Sequence, residues 1–464
     1  MSALWTSEEI AAATGGTAHG SFEVSGITFD SREVAPGDLF VAMPGTVHDG
    51  HEFVAQAIAS GASGLVVSKP VDHPHVLVED TEKALQALGR ASRTRSRATI
   101  IGVTGSVGKT STKEALFAAL DRWRPGKVHR SVKSYNNHTG VPLSLARMPR
   151  DAEFGILEMG MNNAGEIAGL TRLVRPNVAL ITAIAPAHIE NLGSEEAIAD
   201  AKAEIFEGLE PDGIAIIPND TPHRDRLVKG ARPYADRMVT FGSGDADVHA
   251  LHAVRSDDGG SLITAALLDH DLTFTIAQRG DHWVSNALAV LSAVEAVGGD
   301  VGLAGLALAE MGGLKGRGQR HRLDLPGGGD ALLIDESYNA NPASMAATLK
   351  SLGSETGVER RIAVLGPMRE LGIHASRLHT ALAPAVLAAN VDELVLVGDD
   401  MAPLADALGG QVHITKVADA GSAADALARL LRPGDAVLVK ASNSVGLSRV
   451  IERLTKEIAE CSIS

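Results

Sequence analysis

The chain has 464 residues, more than a single hydrophobic core organises, so two or more domains are expected. Apolar residues make up 45% and charged residues 21%, an ordinary globular composition, while 42 Lys+Arg against 57 Asp+Glu leave a formal net charge of −15. That acidity, with 3% aromatic residues, argues against nucleic acid as the main partner, because such binding uses basic grooves and stacking platforms.

Residues 1–85 read as a small α/β unit. Strand-like runs at 27–29, 39–42 and 64–71 accompany a helical stretch at 53–60. Segment 91–98, rich in Arg and Ser, reads as a solvated connection. A buried strand at 99–103 then leads through a glycine-rich turn into a helix at 109–121. Strand-like runs follow at 154–158, 178–183 and 213–217, with a helix at 195–209. This alternation predicts a mostly parallel sheet covered by helices. Residues 247–277 read as short alternating strands with turns at 257–260 and 269–271, before a helix at 284–297. A glycine-rich stretch at 312–318 marks a second boundary. Beyond it, strands at 331–335, 361–365, 393–397 and 436–440 and helices at 343–352, 374–389 and 446–458 form another doubly wound unit. The single cysteine, Cys461, excludes an intramolecular disulfide and suits a reducing compartment. Residues 1–10 lack a basic region followed by an apolar run, and no stretch reaches the roughly 18–20 apolar residues that span a bilayer, so a cytoplasmic protein is expected.

The first chemical signal is Gly102-Val103-Thr104-Gly105-Ser106-Val107-Gly108-Lys109-Thr110-Ser111. A strand before it and a helix after it give the context of a phosphate loop. There, glycines admit phosphate to the backbone N–H groups and the helix N-terminus adds positive potential. Lys109 would reach the β and γ phosphates, and the Thr110 hydroxyl would hold Mg²⁺. The common Walker spacing would place a glycine at 103, where this chain has Val103.

Glu158 ends an apolar strand, which in open α/β sheets faces the ligand crevice. Read alone, it is equally a surface carboxylate or a Mg²⁺ ligand. His188 follows the next strand; a lone histidine there is more often structural, although the shared sheet edge raises its standing as a ligand. Lys202, read from its chemistry alone, is a solvated helix lysine.

Together these motifs resemble those of the Mur ligases, which build the peptide of peptidoglycan, over nearly the whole chain. The family's phosphate loop departs from the Walker pattern in the same way. The resemblance implies three α/β domains: a small N-terminal UDP-substrate-binding α/β domain at 1–88, a central P-loop mononucleotide-binding domain at 89–316, and a C-terminal Rossmann-like domain at 317–464 that takes the amino substrate. It implies ATP as the activating substrate and Mg²⁺ as cofactor. Asp30-Ser31-Arg32 is similar to the UDP-binding segment, so Ser31 and Arg32 would meet the nucleotide-sugar substrate. Asn136 and Asn137 lie in the Asn-Asn-His-Thr-Gly-Val-Pro loop that would approach substrate and metal. Gly105, Ser106, Gly108, Lys109, Thr110 and Ser111 would hold the ATP phosphates, with Asn286, Arg317 and Asp335 completing the nucleotide contacts. Lys202 matches the family's carbamylated lysine, which would join Thr110, Glu158 and His188 around Mg²⁺; Lys109, Glu158, His188 and Lys202 form the implied catalytic group. The run Asp335-Glu336-Ser337-Tyr338-Asn339-Ala340-Asn341-Pro342 looks like the signature of the member that adds D-alanyl-D-alanine to UDP-N-acetylmuramoyl-tripeptide, with Tyr338, Asn339 and Asn341 on the substrate side. Pro367 stands where the family pattern has an acidic residue, and Ala441 where it has glycine. A monomer is expected. The alternatives are a sister Mur ligase adding another amino acid, a folylpolyglutamate synthetase, a nucleotide-controlled switch and a non-catalytic scaffold. A switch would release phosphate without an amine acceptor.

Overall fold

The computed structural model describes residues 3–45, 48–187, 189–256 and 259–461, with side chains to residue 456. Among the described residues, three large sheets and one two-stranded pair, Trp5–Thr6 with Glu23–Val24, organise the chain. In the N-terminal unit, Gly26–Thr28, Asp38–Val41, Gly64–Val67 and His75–Leu77 run parallel, and Thr17–His19 closes the edge antiparallel. Leu39, Phe40, Val41, Leu65, Val66 and Val67 are fully buried, as expected for strands covered on both faces.

Helix Thr81–Arg95 replaces most of the solvated connection expected at 91–98. Asp80 caps it by accepting from the Glu82 and Lys83 N–H groups, and Ala84, Leu85, Leu88 and Ser92 are buried. Only residues 96–98 connect. The expected domain division at 88/89 falls inside this helix.

The central sheet has nine strands, in the order Asp271–Ile276, Ser261–Ala266, Val248–Arg255, Arg237–Gly242, Ile214–Pro218, Val178–Ile181, Thr99–Thr104, Phe154–Glu158, Val128–Arg130. Pairing is parallel from Val128–Arg130 through Val248–Arg255 and antiparallel beyond. The short alternating strands expected at 247–277 are therefore present, though the turn expected at 257–260 lies partly outside the described residues. Register places Glu158 beside Val103 and Ile181 beside Thr104, so three neighbouring strands end at one edge around the phosphate loop.

The C-terminal sheet runs Gln319–Asp324, Asp330–Glu336, Asp435–Lys440, Arg360–Leu365, Glu393–Val397, His413–Val417, antiparallel only in its first pair. This agrees with a doubly wound unit. The helix expected at 374–389 is instead two, Ala375–Thr380 and Ala383–Ala388. Pro384 near the start of the second has no N–H to donate into a continuous ladder. Likewise the helix expected at 195–209 is α-helical over Glu195–Ala203 and tightens to 3₁₀ over Glu204–Gly208. Among the described residues, no helix is long and apolar enough to cross a membrane.

Candidate functional site

A cavity of about 540 Å³ opens where the central sheet's edge meets the C-terminal unit. Its central-domain wall includes Ser106, Gly108, Lys109, Thr110, Ser111, Asn136, Asn137, Glu158 and Asn286; Arg317, Glu336, Tyr338, Asn339, Asn341 and Lys440 face them.

The loop owes its shape to two glycines. Gly105 has φ +151°, and a Cβ there would lie 1.9 Å from Thr182 Oγ1. Gly108, at φ +83°, starts helix Lys109–Trp123, and a Cβ there would lie 2.9 Å from Asn286 Oδ1. Ser106, although on the wall, has its hydroxyl engaged by the backbone. Its hydroxyl donates to the Ala185 carbonyl at 2.9 Å and accepts from Ala185 N–H at 3.0 Å, pinning the loop to the segment after Val178–Ile181. Lys109 Nζ donates to the Gly105 carbonyl at 2.6 Å, so its ammonium folds back over the loop. Burial lowers the Lys109 pKa, and the Glu158 carboxylate partly opposes that shift.

Glu158 is 1% exposed. Thr110 Oγ1 donates to its Oε2 at 2.9 Å, Asn136 Nδ2 to its Oε1 at 2.8 Å, and Ser134 Oγ lies 3.2 Å from Thr110 Oγ1. The open reading of Glu158 as a surface carboxylate is thereby excluded. Hydroxyl, amide and carboxylate oxygens converge here. That hard-oxygen set suits Mg²⁺, which binds through one or two carboxylates and keeps several waters. Among the described residues, no three His, Cys, Asp or Glu side chains gather as metal ligands.

Lys202 is 1% exposed, which overturns its reading as a solvated helix lysine. Burial, then the nearby Lys109 charge, pushes its pKa well below the usual lysine value. It is not on the cavity wall. His188 lies outside the described residues.

The C-terminal side is built by a turn. Asp335, 1% exposed, accepts from Gly316 N–H at 2.9 Å through one oxygen, and from Ser337 N–H at 3.1 Å and Ser337 Oγ at 2.6 Å through the other. It is absent from the cavity wall, so it shapes the turn that carries Arg317. Arg317 stacks on Tyr338, 4.4 Å from the ring centroid. Asn341 caps helix Pro342–Gly353 in a capping box with Ser344. Asn339 offers its carbonyl to Lys440 Nζ at 2.9 Å, and Glu336 lies 3.3 Å from the same ammonium. Burial lowers the Lys440 pKa against the pull of Glu336.

The departures at 367 and 441 pack together locally. Ala441 is fully buried against Gly366, and Ser442 N–H donates to the Pro367 carbonyl at 3.2 Å.

Ser31 and Arg32 are elsewhere, on the N-terminal unit. Ser31 Oγ donates to Gln56 Oε1 at 3.1 Å, and the exposed Arg32 forks onto Asp30 at 2.8 and 2.6 Å. Sequence reasoning missed Ser134, Glu336, His282 and Lys440 as wall residues; for Lys440 the available signal was a charge at the end of a buried strand.

Comparison with known proteins follows the same division. Residues 23–96 match the model for the Mur ligase family catalytic domain, 103–294 the Mur ligase middle domain, and 321–443 the Mur ligase glutamate ligase domain. A UDP-N-acetylmuramoyl-tripeptide–D-alanyl-D-alanine ligase of Synechocystis sp. is 38% identical over 443 residues, covering 94% of this chain and 92% of that protein. A crystal structure of MurF from Acinetobacter baumannii superposes with a TM-score of 0.84 at 28% identity, covering 97% of this chain and 99% of that one. MurF from Thermotoga maritima, solved in complex with ADP, gives 0.77 at 28% identity, covering 94% and 98%. With a relative this similar across nearly its full length, the chain belongs to the Mur ligase family.

Proposed function

We propose that the protein is an ATP-dependent carboxylate–amine ligase that joins D-alanyl-D-alanine to UDP-N-acetylmuramoyl-tripeptide through an acyl phosphate. The observation that carries this reading is the full-length similarity to ligases named for that reaction. The cavity supports it, because a strand-end carboxylate and a phosphate loop face a second domain across one space.

A carboxylate is a poor electrophile. Transfer of the ATP γ-phosphoryl group to a carboxylate oxygen breaks the bond to ADP and leaves a good leaving group on the acyl carbon. This step needs positioning and charge neutralisation and no enzyme nucleophile. Lys109 and the loop 105–108 would hold the phosphates, with Ser111, Asn286 and Arg317 around the remainder of the nucleotide. Thr110 and Glu158 would hold Mg²⁺, with Ser134 beside them and with His188 and Lys202 assigned from the family resemblance; the ion would neutralise charge on the phosphates. The dipeptide amine would then attack the acyl carbon, phosphate would leave, and the amine would lose its proton. Asn136, Asn137, Tyr338, Asn339 and Asn341, on the cavity wall, would lie beside the reacting groups, and Ser31 and Arg32 would anchor the UDP portion. Burial and the nearby Lys109 charge push the Lys202 pKa well below the usual lysine value, which favours the neutral amine that would add to CO₂ to give a carbamate and a proton. We place the working divisions of the chain after helix Thr81–Arg95 and near residue 316, and take the protein as a cytoplasmic monomer.

Phosphate release is the test, with ATP, Mg²⁺, UDP-N-acetylmuramoyl-tripeptide and D-alanyl-D-alanine, omitting each in turn. The reading expects release only with all four present and a UDP-pentapeptide by mass. Release with ATP alone would return the chain to the switch reading.

A further inference from the structure

Lys113 has no place in the chemistry above, yet it is fully buried on the phosphate-loop helix. A sequestered ammonium is costly unless several partners surround it. Its Nζ donates to the carbonyls of Ser131 at 2.9 Å and Lys133 at 2.6 Å, and lies 3.0 Å from Glu114 Oε1 and 3.9 Å from Glu158 Oε2.

Those partners are not generic scaffold. Residues 131–136 carry Ser134 and Asn136, which meet Thr110 and Glu158, and Ser131 Oγ accepts from Glu158 N–H at 3.1 Å. Lys133 sits at φ +53°, a left-handed conformation that a lysine rarely adopts and that its surroundings must enforce. The same residue reaches the N-terminal unit, since its Nζ pairs with Glu33.

We infer that Lys113 is a positioning residue that fixes the loop 131–136 against Glu158, setting the spacing of the Thr110, Ser134 and Glu158 oxygens for a divalent cation. It touches neither nucleotide nor cation. It acts by holding two carbonyls of the loop and by offsetting the buried Glu158 charge. The identity of the cation rests on the ligase reading above.

The test is equilibrium binding of a non-hydrolysable ATP analogue to the full chain as free Mg²⁺ is varied, with thermal midpoints recorded alongside. For Lys113→Met, the Mg²⁺ concentration at half-saturation is expected to rise about tenfold, as for groups that orient metal ligands. Analogue binding in EDTA stays unchanged. Lys113→Arg keeps the charge but places its planar fork differently against the two carbonyls, and is expected to shift the same midpoint by a smaller factor. An unchanged Mg²⁺ midpoint, with only a lowered thermal midpoint, overturns the inference. If Lys113→Met does not fold, Lys113→Arg decides alone. The wild-type curve keeps the two readings apart: wild-type binding with no Mg²⁺ dependence sinks the ligase reading, whereas normal wild-type behaviour with unshifted variants sinks only the role of Lys113.

Discussion

Arg279 Nη1 donates to Glu355 Oε2 at 2.7 Å, and this bond ties the central unit to the C-terminal one. Arg320 forks onto the same carboxylate at 2.9 and 2.7 Å, and Glu355 is 3% exposed. Nearby, Asp281 bridges Arg255 at 3.0 Å and Lys350 at 2.5 Å, but at the surface. Burial decides between the two. Breaking a buried pair leaves charges uncompensated at a cost of about 3–5 kcal/mol, whereas exposed pairs contribute about 0–1 kcal/mol. Glu355→Ala is therefore expected to lower the thermal midpoint by about 6 °C or more, and Lys350→Ala by about 2 °C at most. Equal effects in a melting experiment would contradict this ranking.

Lys109 folds over the phosphate loop, so its removal takes charge away from the transferring phosphoryl group. Lys109→Met is expected to lower amine-dependent phosphate release by about 10²–10³-fold, with little change in thermal midpoint. A loss of less than about tenfold in a steady-state assay would assign the phosphates to other groups.

The parts of this site that were legible in the sequence are local ones. The phosphate loop reads directly because strand, glycines and helix are consecutive, and Glu158 reads from its place at the end of an apolar run. What escaped depends on partners far along the chain. Lys113 looks like any polar helix residue until Ser131 and Lys133 turn their carbonyls toward it. Lys202 looks solvated until its helix is packed into the core. Helix Thr81–Arg95 was obscured by its Arg and Ser content, although Asp80 marks its start and its buried face packs against the helix Gly140–Ala146. Asp335 reads from the sequence as part of the junction turn, and its carboxylate is spent there on Gly316 and Ser337.

Lys202 gives a pH prediction. Its folded pKa is lowered, so between that value and the value of an unfolded lysine the unfolded chain binds more protons. Stability therefore rises with pH across that window, and the full penalty is present below it. In CO₂-free buffer, Lys202→Met is expected to melt higher than the wild type near neutral pH, with the gap closing as the pH becomes strongly alkaline. A gap that does not change with pH would show that Lys202 binds protons equally in the folded and unfolded chain, so that burial does not lower its pKa.

Asp335 accepts three hydrogen bonds, and an amide at that position would turn an NH₂ group toward N–H or O–H donors. Asp335→Asn is expected to cost about 1–3 kcal/mol of stability. By misplacing Arg317, it should also raise KM for ATP more than it lowers kcat. A fall in kcat with KM unchanged would argue for contact with the reacting atoms.

Gly105 has a consequence for inherited variation. Every missense change in its codon adds a Cβ, and that atom has no space beside Thr182. Gly126, by contrast, has nothing within 4 Å of a Cβ, although its φ of +72° still disfavours one. An inhibitor whose contacts are confined to the backbone of Gly105 and Gly108 would rest on positions that a side chain cannot occupy without displacing Thr182 or Asn286. Escape from such a compound would have to arise at positions other than the two glycines, or through exclusion of the compound or overproduction of the enzyme.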